Sequence, residues 1–161
     1  MELDALIDRL NDLIRSAEDN HLALQRAATD LGEERWSALC TELATRRGDM
    51  IRALQEQVAA IGGAPDATGT FIGGARRLVE ELGVALGARH ADDILEGLVK
   101  LQEATIDHIL HVLDAEMPEQ VQADLNALVV ALRQDRDRLS GAHREAVAAE
   151  GIAAPAPEQG G

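Results

Sequence analysis

Apolar residues recur with a seven-residue rhythm through four long stretches of this chain, and polar residues interrupt each stretch near its middle. Leu3, Leu6, Leu10, Leu13, Ala17, Leu24 and Leu31 mark the first stretch. Trp36, Leu39, Leu43, Met50, Leu54 and Ile61 mark the second. Leu95, Leu98, Ile109 and Val112 mark the third, and Val121, Leu125, Leu128, Leu132 and Leu139 the fourth. This is the period of helices that bury one face. The expected fold is all-α, a four-helix bundle.

A chain of 161 residues can bury a sizeable core in one domain. With one Phe, one Trp and no Tyr, that core must be built from Leu, Ile, Val and Ala. Net charge is −14, so nucleic acid and anionic membranes are not expected partners. Cys40 is the single cysteine, which rules out an internal disulfide and a cysteine-rich metal site. It reads as a small buried hydrophobe. The start, MELDALIDRL, lacks the basic and apolar regions of a signal peptide. No stretch reaches the roughly 18 apolar residues of a membrane span. A cytoplasmic protein is the expectation.

The first helix is predicted from about residue 2 to Leu31. Asp30 and Glu33 have the spacing of a capping pair that restarts the chain. The second helix runs to about Ile61, where Gly62-Gly63-Ala64-Pro65 ends it. Residues 62–74 read as a loop and Ala75 to Leu86 as a short helix. Asp93 and Glu96 are spaced to cap the third helix, which ends near Asp114. Pro118 suits the first turn of the fourth, which runs to about Ala149. The bundle domain thus covers residues 1–150. Residues 151–161, rich in Pro, Gly and Ala, read as a disordered tail. Short links make hairpins of helices one and two and of helices three and four. About 30 residues join helix two to helix three, enough to cross the whole bundle. That is the ferritin-like arrangement.

Helical projection places His21, Arg46, Arg47, Gln102 and Asp135 on or beside the buried stripes, all near mid-height. Buried polar groups must partner one another. Asp135 with Arg46 or Arg47 makes an ion pair, with His21 and Gln102 completing the hydrogen bonds. One reading is a polar layer that fixes helix register. The other is a metal centre for iron or manganese, built on Glu18, His21, Glu103 and Asp135. A dinuclear carboxylate site takes two Glu and two Glu-x-x-His motifs. Only one Glu-x-x-His, ending at His21, is present, and the second helix offers arginines. Histidine phosphotransfer fits poorly, because His21 lies on the stripe and lacks a following Lys-Gly pair.

The stretch from Glu42 through Ile61-Gly62-Gly63-Ala64-Pro65, then Gly69-Thr70 to Arg76-Arg77, resembles a family of uncharacterised bacterial ferritin-like four-helix-bundle proteins. The likeness in length and helix order extends from Leu6 to about Val147. It implies a ferritin-like bundle with a long crossover carrying a short extra helix, a side-by-side homodimer, and a role in bacterial stress physiology. Members of that family carry an acidic Gly-Glu-Asp turn on the third helix, followed by a tyrosine. Here the positions read Leu101-Gln102-Glu103, with Ile109 at the aromatic. An aromatic on the first helix is replaced in the region of Leu24. The expected function is therefore non-enzymatic: a bundle acting through protein association, with no cofactor and a degenerate polar layer in place of a di-metal centre. The alternative is a metal-binding or oxidase-type ferritin-like protein.

Overall fold

The structure is a computed structural model that describes residues 2–66 and 90–153. Among these residues it contains four helices and no strand: α1 (Leu3–Asp30), α2 (Glu34–Ala60), α3 (Ala91–Val112) and α4 (Glu119–Ala153). The short helix predicted at Ala75 to Leu86, and the tail beyond residue 153, lie outside the described residues.

The helices pack as a square in which α1 touches α2 and α3, and α4 touches α2 and α3. Cross-helix bonds fix the directions. Ser16 meets His108 while Asn20 meets Gln102, so α1 and α3 are antiparallel. Trp36 meets Glu145 while Gln57 meets Asp124, so α2 and α4 are antiparallel. Ser37 donates to Ala28 O, and His21 lies against Ala44 O, so α1 and α2 are antiparallel too. It follows that α2 and α3 are parallel and diagonal. The end of α2 therefore sits at one end of the bundle and the start of α3 at the other, as the crossover reading requires.

Two apolar cores lie one above the other. The first joins Leu6, Leu10, Leu13, Leu54, Ile109, Leu125 and their neighbours. The second joins Leu24, Trp36, Leu43, Leu95, Leu98, Leu139 and theirs. Leu3, expected on the stripe, is exposed, and the buried series of α1 starts at Leu6.

Helix ends depart from expectation in three places. Neither predicted capping pair forms: the N-cap residues are Glu33 and His90, and neither makes a side-chain cap bond. Asp30 instead ends α1 and accepts from Arg26 at 3.0 Å. Helix α4 passes Gly141 and continues to Ala153, beyond the expected stop at Ala149. Packing of its apolar face outweighs the roughly 1 kcal/mol that a helical glycine costs.

The end of α2 follows its sequence signal closely. Gly62 takes φ +90°, its N–H donates to Ala59 O, and the Gly63 N–H donates to Val58 O. This is a Schellman motif, which favours glycine at the left-handed position. Gly63 serves a different need: a Cβ there would come within 2.8 Å of Ile7. The departing segment is then held down. Asn11, buried on α1, donates to Ala64 O and accepts from the Asp66 N–H at 2.9 Å. Arg15 pairs with the Asp66 carboxylate at 2.8 Å, and Gln55 donates to Asp66 O.

Candidate functional site

Between the two apolar cores lies a level rich in polar side chains. On its α2–α4 side, Arg47 is 2% exposed and Asp135 1% exposed, and the two form a direct ion pair. Arg46 reaches the same carboxylate from the rim, with Nε 3.0 Å from Oδ1, and stays 40% exposed. Burial pushes the Arg47 guanidinium below the usual arginine range, while the bond to Asp135 pulls it back. An arginine stays charged even so. The layer therefore holds a permanent ion pair at the heart of the bundle.

On the α1–α3 side, Asn20 and Gln102 are fully buried and exchange amide bonds of 3.1 and 2.9 Å. Asn20 also donates to Thr105 Oγ1, and Thr105 donates to Leu101 O. These three side chains are uncharged. Asn20 and Thr105 were not among the sequence candidates. Glu18 is buried and has an interaction partner.

The two remaining candidates sit differently from expectation. His21 is half-buried at the α1–α2 boundary, with Nδ1 2.8 Å from Ala44 O, and does not complete the Asp135 network. Glu103 is half-exposed and faces Arg136 at 3.9 Å. The set Glu18, His21, Glu103 and Asp135 is thus not brought together. Its members lie on different sides of the layer: Glu103 turns outward, and Asp135 is held by two arginines. Among the described residues, one group of three metal-capable side chains does converge, His90, Asp92 and Glu150, at the far end of the bundle. His90 and Glu150 are both exposed.

Other titratable side chains have local explanations. Cys40 is fully buried, and desolvation pushes its thiol up to about 12, as expected of an inert core residue. His108 lies under the Ser16 hydroxyl at 2.8 Å, and partial burial lowers its pKa. No described helix is long and apolar enough to cross a membrane.

No curated protein matches the chain. A family described as a domain of unknown function (DUF2383) matches residues 5–115, which take in all but the first two residues of α1, all of α2 and α3, and the segment between α2 and α3. Asp135 lies beyond that match, while its partner Arg47 lies within it. By this match over most of its length, the chain belongs to the DUF2383 family.

Proposed function

We propose that the protein is a non-enzymatic ferritin-like helical bundle that acts by protein association, first with a second copy of itself. In this reading the mid-height layer sets the register of the helices and replaces a di-metal centre. The observation that carries it is Arg47, buried at mid-height and held by Asp135. A dinuclear carboxylate centre requires acids converging from all four helices. Here α2 contributes a guanidinium at that height, whose charge would repel metal cations. Gln102 is committed to Asn20, and Glu103 faces outward. Exposed Leu22, Leu110, Val130 and Val147 offer apolar area for association. The acidic balance argues against nucleic acid or an anionic membrane as partner, and a cytoplasmic setting suits a lone, inert thiol.

The test pairs two measurements on the purified full chain. Sedimentation equilibrium is expected to give a dimer. Metal analysis after incubation with iron or manganese is expected to give well under one ion per chain, with no ferroxidase activity. A monomer that takes up stoichiometric iron, and loses it in Glu18→Ala or His21→Ala, would overturn the proposal in favour of an oxidase-type protein.

A further inference from the structure

A groove of about 270 Å³ opens between α2 and α4, directly outside the Arg47–Asp135 pair. Its walls are Met50, Ala53, Leu128 and Ala131, and arginines 46 and 47 line its polar end. The charges there do not balance. Among the described residues, two guanidiniums share the single carboxylate of Asp135, leaving one net positive charge. The nearby acids are already held: Glu42 by Arg138 at 2.6 and 2.9 Å, and Asp49, on the groove's rim, by Arg52. Arg46, the more exposed of the two, presents that charge to the groove.

We propose that this groove binds a small aliphatic monocarboxylate, its head group on Arg46 and Arg47 and its tail along Met50, Ala53, Leu128 and Ala131. The carboxylate meets the exposed Arg46 guanidinium and neutralises the excess charge. The wall offers no described polar group beyond Asp49 and the arginines, which suits a hydrocarbon tail. Size limits the ligand. A groove of about 270 Å³ takes a short chain and not a long one, and octanoate is the probe of that size. A multiply charged anion without a tail, such as phosphate, satisfies the charge but leaves the walls wet.

The test is a titration of the isotope-labelled full chain, followed by amide chemical shifts. Octanoate is expected to move the amides of Met50, Ala53, Leu128 and Ala131 saturably. Octanol, with the same tail and no charge, and acetate, with the same head and no tail, are each expected to bind at least about tenfold more weakly. Arg46→Gln keeps the Arg47–Asp135 pair and is expected to weaken octanoate by about tenfold or more, leaving octanol unchanged. Ala53→Leu fills the groove without altering charge and is expected to abolish octanoate shifts in a protein that still melts cooperatively. The proposal is overturned if octanoate gives no saturable shift at these residues. It is equally overturned if octanol matches octanoate, or if both variants bind octanoate like the parent.

Discussion

Removing the Asp135 carboxylate tests the central ion pair most directly. In Asp135→Ala the Arg47 guanidinium, 2% exposed, loses its anion while remaining in the core. Breaking a buried pair from one side costs about 3–5 kcal/mol, because the surviving charge is left uncompensated. Arg46 adds little to that figure. It is 40% exposed and can turn to water, and pairs of that kind contribute at most about 1 kcal/mol. For a chain of this size each kcal/mol moves the melting point by about 2–4 °C. The expected fall is therefore about 10 °C, read by far-UV circular dichroism, with a matching fall in urea midpoint at unchanged slope.

Two companion variants separate charge burial from packing. Arg46→Gln is expected to lose no more than about 1 kcal/mol. Joining Asp135→Leu to Arg47→Met removes both charges and keeps most of the volume, so stability is expected to return to within about 1–2 kcal/mol of the parent. If Asp135→Ala melts like the parent, Arg47 is not buried as a charge and the reasoning fails. If the double variant is as unstable as the single one, desolvation of Arg47 is not the cause.

Asn11→Ala should cost about 1–3 kcal/mol, because it removes two hydrogen bonds, to Ala64 O and from the Asp66 N–H, each worth about 0.5–1.5 kcal/mol; urea melts measure it. Gly63→Ala should cost a similar amount by forcing Ile7 off a contact that the new methyl would make at 2.8 Å. Glu150 raises the His90 pKa, so a histidine titration followed by NMR should find His90 above the ordinary value, and Glu150→Gln should bring it down. Burial lowers the His108 pKa, so the unfolded chain binds a proton there before the folded one does. Stability from this site is therefore complete above the ordinary histidine range and declines as pH falls from it toward the lowered value. His108→Gln should flatten that part of the stability–pH curve.

The helical stripes were legible because they follow a strict three–four spacing. On α4 the buried positions Val121, Leu125, Leu132, Leu139, Ala142 and Ala146 keep that spacing, and Asp135 falls in step with them. The same spacing separates the two adjacent arginines. Trp36, Cys40, Leu43, Met50 and Leu54 place Arg47 in the series and Arg46 one step outside it. Applied to α1, the series Leu13, Ala17, Leu24 and Ala27 selects Asn20 in preference to His21. On α3 it selects Thr105 beside Gln102. Neither Asn20 nor Thr105 carries a charge or a motif, so only the spacing of the apolar series marks them. The clamp at Asn11 had no comparable signal. It lies off the seam, and its partners are backbone atoms 53 and 55 residues away. The capping pairs failed for a related reason: local spacing names a compatible cap, while hairpin packing decides where the helix starts.

The polar layer gives the bundle something that its leucines cannot. A seven-residue apolar repeat looks the same after one helix slides by a heptad, about 10 Å along its neighbour. Leucine would still meet leucine, and an apolar seam alone would separate the two registers weakly. Sliding α4 by seven residues against α2 moves Asp135 away from Arg47 and sets either Leu128 or Ala142 near that height. Arg47 would then be a buried charge without an anion, at the few-kcal/mol cost that Asp135→Ala measures. Sliding α3 against α1 likewise separates Gln102 from Asn20 and leaves two buried amides facing apolar side chains. Each of the two contacts between the hairpins, α1–α3 and α2–α4, thus carries one pairing that only a single register satisfies. Because the two pairings lie on opposite sides of the same level, they also hold the α1–α2 and α3–α4 hairpins at matching heights.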